Sequence, residues 1–112
     1  MNRDESYLLD IYNYASDAQS FVKEMDVEAF ELDSKTQFAV LYSITILGEA
    51  VKRLSTEFRA AHPRIEWRQI AGIRDKLVHD YRKTNIPVVW HVLQVNIPEL
   101  LEYIEPLLPE EE

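Results

Sequence analysis

The chain contains no cysteine, only two glycines in 112 residues, and no apolar run long enough to span a bilayer. The first absence excludes disulfides and thiolate metal sites. It suits a reducing compartment, so a cytoplasmic location is expected. A spanning helix needs about 18 or more apolar residues in succession, so no membrane association is expected. The opening MNRDESYLLD is too acidic, and its apolar run too short, for a signal peptide. With glycine only at 48 and 72, no glycine-rich phosphate loop exists, and Gly48 reads as a point of close helix packing. What is present is a globular profile, 46% hydrophobic and 29% charged, of a length that suits one domain over residues 1–112.

Net charge is −8, which at first argues against a polyanionic partner. The charge is uneven, however. Residues 52–83 hold nine cations (Lys52, Arg53, Arg59, Arg64, Arg68, Arg74, Lys76, Arg82 and Lys83) and four anions (Glu57, Glu66, Asp75 and Asp80). That segment is +5 and the rest is −13. A local positive field can attract an anion even on an acidic protein, although solvated helix faces give the same pattern.

Helical periodicity dominates. Leu8, Ile11, Ala15, Ala18, Val22 and Met25 form one stripe, predicting a helix over about 4–24. Asp26 can cap a short turn, DVEAFEL. Ser34 and Gln37 have capping-box spacing ahead of a helix marked by Val40, Ile44, Leu47, Val51 and Leu54. Phe38, Leu41, Tyr42 and Ile46 fill its other faces, so it reads as the central helix, packed on several sides. Ser55 and Thr56 offer a cap for a short helix that Pro63 ends. WRQIAGIRDKLVHDY predicts a third long helix over about 66–82, and KTNIP a loop. Pro87 stands near the first turn of a further helix. Pro98 must break or kink it near Asn96 before Leu100, Leu101, Ile104, Leu107 and Leu108 resume the pattern. Pro109 and EEE form a frayed acidic tail. No segment of strand period competes. The expected fold is all-α, a compact up-and-down bundle of four to five helices.

The segment RDKLVHDY, residues 74–81, concentrates reactive side chains. On a continuous helix Arg74 and Tyr81 fall about 20° apart, with Asp75 near 100° and His79 near 140° from Arg74. Asp75 and His79 then form an i, i+4 pair. A neutral imidazole can take a proton near pH 7. A guanidinium grips a phosphate through two parallel hydrogen bonds. Asp75 can fix the imidazole tautomer, and Tyr81 can donate to an oxygen or stack on a base. Base, clamp and orienter are what metal-independent RNA cleavage requires, with His79 activating the ribose 2′-OH and Arg74 stabilising charge on the phosphoryl oxygens. A two-fold dimer would supply a second histidine as acid. Spacing alone leaves this reading and an ordinary polar helix face both open.

RDKLVHDY resembles the Arg-x4-His-x-Tyr motif of the HEPN superfamily, in particular of HepT-like toxins. LGEAVKRLS (47–55), HPRIEWRQIAGIRDKLVHDY (62–81), VVWHV (88–92), IPELL (97–101), the N-terminal RDESYLLDIYNY and LDSKTQFAV are similar to that family's successive signatures, in the right order. The resemblance implies a HEPN-like all-α homodimer whose two motifs face a common cleft. It implies a metal-independent, cofactor-free endoribonuclease toxin acting on tRNA or mRNA. Its partner would be an antitoxin of the minimal nucleotidyltransferase type that silences the toxin by adding AMP to the motif tyrosine. Arg74 and His79 match the catalytic pair and Tyr81 the modified residue. Asp75 stands where asparagine is more usual, adding negative charge beside the substrate. The alternative within the same resemblance is a non-catalytic HEPN module that docks to a nucleotidyltransferase and helps present its substrate.

Glu49 reads either as an i, i+4 partner of Arg53 or as a supporting group that lines the cleft and positions Arg74. His62 and His91 have no ligand partners at metal spacing. Trp67 and Trp90 are expected as core or interface anchors. Arg82, Lys83 and Arg53 are candidate contacts to RNA or to the partner, with plain surface solvation the competing reading.

Overall fold

A computed structural model describes residues 2–80 and 83–110, with backbone alone at 78–80 and 83. The chain is all-α apart from one short hairpin. Helix α1 (Arg3–Phe21) starts in a full capping box. The Asn2 side chain accepts from Glu5 N–H at 2.8 Å and the Glu5 carboxylate accepts from Asn2 N–H at 3.0 Å. Two orphan donors of the first turn are thereby satisfied, and Asp4 and Glu5 lie at the positive end of the helix dipole. Its predicted stripe is buried, with Leu8, Ile11, Ala15 and Ala18 almost inaccessible. The alanines let α1 lie close along α3 (Ser34–Arg53), its main packing partner.

Between them Asp26 caps α2 (Val27–Glu31), accepting from Ala29 N–H at 2.8 Å, as its place before VEAFE predicts. The start of α3 departs from expectation. Its N-cap is Asp33, which accepts from Thr36 N–H, not a Ser34–Gln37 box. Asp33 wins because a carboxylate is as good an N-cap as a hydroxyl and stands one residue earlier. Gln37 instead donates to the Phe30 and Glu31 carbonyls, tying down the end of α2. Val40, Ile44, Leu47, Val51 and Leu54 are all buried, each contributing roughly 1.5–3 kcal/mol of transfer free energy. The face bearing Phe38 and Tyr42 is not covered by the described residues, however: these side chains are 71% and 61% exposed.

Ser55 caps α4 (Thr56–Ala61) by accepting from Phe58 N–H at 3.0 Å. Trp67 opens α5 (Trp67–Ala71), buried edge-on against Phe58 and donating its indole N–H to the His62 carbonyl. The third long helix is absent. Gly72 ends α5, α6 (Ile73–Leu77) is short, and the chain then forms an antiparallel hairpin of β1 (Val78–Asp80) and β2 (Lys83–Thr84). Val78, His79, Asp80, Thr84 and Asn85 all rank low in helix propensity, which outweighs the i, i+4 spacing of Tyr81 from Leu77. The chain therefore doubles back, and Asn85 N–H donates to the Leu77 carbonyl at 2.8 Å.

Asn85 then caps α7 (Ile86–His91), with Pro87 in its first turn as predicted. Pro98 has no N–H to offer and its ring crowds the carbonyl four residues back. The helix absorbs this as a wide π turn over Val92–Asn96 before α8 (Ile97–Ile104) and a 3-10 turn (Glu105–Leu107). Trp90 packs against Phe30 at 5.5 Å, joining α7 to α2. Residues 111 and 112, the end of the acidic tail, lie outside the described residues. No described helix is long and apolar enough to cross a membrane.

Candidate active site

The reactive segment is held from three sides. Gly48 brings α3 against α5, where a Cβ at that position would stand 3.1 Å from the Ala71 carbonyl oxygen. A side chain there would hold the two backbones apart, so the glycine is required by close approach. Leu77 is fully buried and pins the end of α6 in the core. The Leu77–Asn85 hydrogen bond closes the base of the hairpin. Together these hold α6 and the hairpin at the surface of a packed scaffold.

Arg74 lies on α6 with its side chain 50% exposed, and Asp75 beside it is 82% exposed. Their charged groups meet at 3.7 Å. The backbone becomes extended at Val78, so Asp75 and His79 do not stand one helical turn apart as a continuous helix would set them. Asp75 thus competes for the guanidinium. His79 sits mid-way along β1. Three helical steps and two extended ones separate it from Arg74, on the order of 11 Å of chain path. The His79 and Lys83 side chains, and Tyr81 and Arg82 altogether, lie outside the described residues.

Glu49 pairs with Lys52 at 3.2 Å, both exposed, and not with Arg53. At i, i+3 the two heads meet on one flank of α3, which leaves Arg53 free of that carboxylate. His62 is engaged by the Tyr103 hydroxyl at 2.9 Å through Nδ1. Beside the hairpin a cavity of about 250 Å³ is lined by Thr84, Ile86, Phe38, Leu41 and Glu31 among others, so the exposed aromatic face of α3 adjoins the reactive segment.

Arg74 thus lies at the surface, with His79 on the adjoining strand. The family model described as "Ribonuclease HepT-like" matches residues 11–107. The chain belongs to the HepT-like ribonuclease family. It is 39% identical over 103 residues to a Thermococcus cleftensis protein named "Probable ribonuclease HepT", covering 92% of this chain and 94% of that one. It is 40% identical over 90 residues to a protein of Caldanaerobacter subterraneus subsp. tengcongensis whose name proposes an RNase, covering 80% of each. A Methanocaldococcus jannaschii protein, also named with a proposed RNase role, is 34% identical over 104 residues, covering 93% of this chain and 90% of that one. No solved structure gives a significant match.

Sequence reasoning missed a second cluster. Asp4 accepts from the Ser55 N–H at 2.7 Å and from the Ser55 hydroxyl at 2.6 Å, joining the start of α1 to the α3–α4 junction. These two hydrogen bonds, the hydroxyl's first, hold its carboxyl below the usual range, with burial opposing them. Around that junction gather Arg3, Lys52, Arg53 and Arg59. The charge count along 52–83 hinted at part of this cluster; Arg3, fifty residues away, gave no signal.

Proposed function

We propose that this HepT-like chain is a metal-independent endoribonuclease toxin, cytoplasmic, that cuts RNA in a cleft between two subunits. His79 takes the proton from a ribose 2′-OH. The freed oxygen attacks the adjacent phosphorus while Arg74 neutralises charge growing on the phosphoryl oxygens. The 5′-oxygen of the following nucleotide departs and receives a proton from the second subunit's imidazolium. The products are a 2′,3′-cyclic phosphate and a 5′-hydroxyl. The observation that carries this reading is the family match over 11–107 with Arg74, His79 and Tyr81 in the motif order, and Arg74 half-exposed where a phosphate can reach it.

Two further features belong to the same reading. The bare Phe38–Tyr42 face beside the hairpin suits a second copy of the chain, which would bring two motifs together. Tyr81, two residues past His79, is where a minimal nucleotidyltransferase antitoxin would place AMP, adding a bulky anion that competes for Arg74 and repels RNA. Intact mass after co-expression with such a partner, with the adduct mapped by peptide, is expected to locate it on Tyr81.

Purified, partner-free protein is expected to cleave RNA, and His79→Ala to lower the rate by about 10²–10⁴-fold. Wild-type protein that leaves RNA intact would instead favour the non-catalytic docking module.

A further inference from the structure

We propose that the cavity between the start of α1 and the α3–α4 junction binds the RNA backbone away from the cleavage centre. This rests on the RNA-cleaving reading above and extends it to a second phosphate site. The cavity is open, about 730 Å³, and lined by Arg3, Lys52, Arg53 and Arg59 with Asp4 as its one carboxylate. Both Asp4 oxygens accept from Ser55, but the carboxylate keeps its charge and is felt by Arg3, so the lining sets four cations against one anion. Lys52 is shared with Glu49.

The guanidiniums are set in place in different ways. Arg3 lies over the Tyr7 ring at 5.7 Å, which orients its planar head. Arg59 has its Nε buried with no hydrogen-bond partner among the described residues. That nitrogen is sealed from solvent, so Arg59 can offer a phosphate only its remaining guanidinium N–H groups. Arg53 is exposed and, with Glu49 turned to Lys52, has no carboxylate claiming it among the described residues.

The location argues for a strand and not a small anion. The cations come from three elements around an open cavity and do not close on one point. Lys52, Arg53 and Arg59 also belong to the +5 stretch over 52–83 of an acidic chain, the same stretch that carries Arg74. A polyanion approaching Arg74 is repelled by the rest of the surface and guided along this path. Gly48 touches the Ala71 region, Arg53 lies five residues beyond the one and Arg74 three beyond the other. The two sites therefore lie on helices that pack against each other, α3 against α5 and α6.

The test uses the full-length His79→Ala protein, which holds RNA without cutting it, and a labelled single-stranded RNA oligonucleotide read by fluorescence anisotropy across a salt series. Adding Arg3→Gln, Arg53→Gln and Arg59→Gln is expected to weaken Kd at least tenfold. The slope of log K against log salt should fall by about 2, at roughly 0.7 per lost phosphate contact on a single strand. The three arginine-to-lysine changes should keep most of that slope. Circular dichroism and a thermal melt report folding; if the triple variant does not fold, Arg53→Gln alone should lower the slope by about 0.7. A folded glutamine variant with unchanged Kd and slope would overturn the second site while leaving the cleavage reading standing. A His79→Ala protein that binds no RNA at all would overturn both.

Discussion

At the residue scale the decisive contact is the one between Arg74 and Asp75. Both groups are well exposed, so the pair is worth only about 0.2–1 kcal/mol, yet it engages the guanidinium that the proposed reaction needs. Asp75→Asn removes the competing charge and keeps the hydrogen-bonding capacity. It is expected to raise kcat/KM for RNA cleavage by about 1.5–5-fold, the rate equivalent of that energy; a fall in kcat/KM would show that the carboxylate serves catalysis. Asp4 gives a second residue-scale expectation. Its carboxyl is held below the ordinary value near 3.8, first by the Ser55 hydroxyl and then by the Ser55 N–H. A group lowered in the folded state stabilises the protein above its unfolded pKa, and that stabilisation drains away as pH falls through the folded one. Asp4→Ala should therefore lower unfolding free energy by about 1–2 kcal/mol at pH 7, allowing for partial solvent screening. The gap to wild type should narrow below pH 3.8. Urea titrations at pH 7 and pH 3 check both the size and the sign.

At the scale of elements, the packing of α3 on α5 sets where α6 and the hairpin emerge. The 3.1 Å approach at Gly48 is tighter than an ordinary side-chain contact, so a Cβ there needs the Ala71 backbone to give by a few tenths of an ångström. Gly48→Val must separate the two backbones. It is expected to cost on the order of 1–3 kcal/mol, and to reduce RNA cleavage because Arg74 moves with α5 and α6. A Tm unchanged from wild type would mean that α5 yields freely. The hairpin itself shows how a segment with helical flanks leaves the helix. Trp67, Ile70, Ile73 and Leu77 keep the 3–4 spacing, and Leu77 is buried. After Val78 the residues His79, Asp80, Thr84 and Asn85 lower the helix propensity, while Arg82 and Lys83 do not. That signal was readable in HDYRKTN, but the strength of the preceding pattern hid it.

At the scale of the whole molecule, the uncovered aromatic face of α3 and the uneven charge point the same way. Phe38 and Tyr42 stand 71% and 61% exposed on a helix otherwise deep in the core, and they flank the cavity beside the hairpin or the ring of Tyr14. If a second copy covers them, Phe38→Glu with Tyr42→Glu should give a folded monomer in sedimentation equilibrium and lose most RNA cleavage. A dimer that persists in this variant would place the interface elsewhere.

Much of the fold was legible because it depends on local rules. The buried stripes of α1 and α3, the caps at Asp26 and Ser55, Pro87 in the first turn of α7 and the disruption before Pro98 all follow from spacing, capping chemistry and the missing proline N–H. The family was legible too, since its motifs are short and ordered along the chain. Other features needed the tertiary structure, because they depend on groups far apart in sequence or on neighbours competing for one partner. Asp4 meets Ser55 across 51 residues. Glu49 chooses Lys52 over Arg53, Asp75 meets Arg74, and Arg3 joins the basic rim of α3 and α4. Periodicity determines which residues are buried, but only packing decides which charges face one another, because Coulomb attraction depends on distance in space and not on position in the chain.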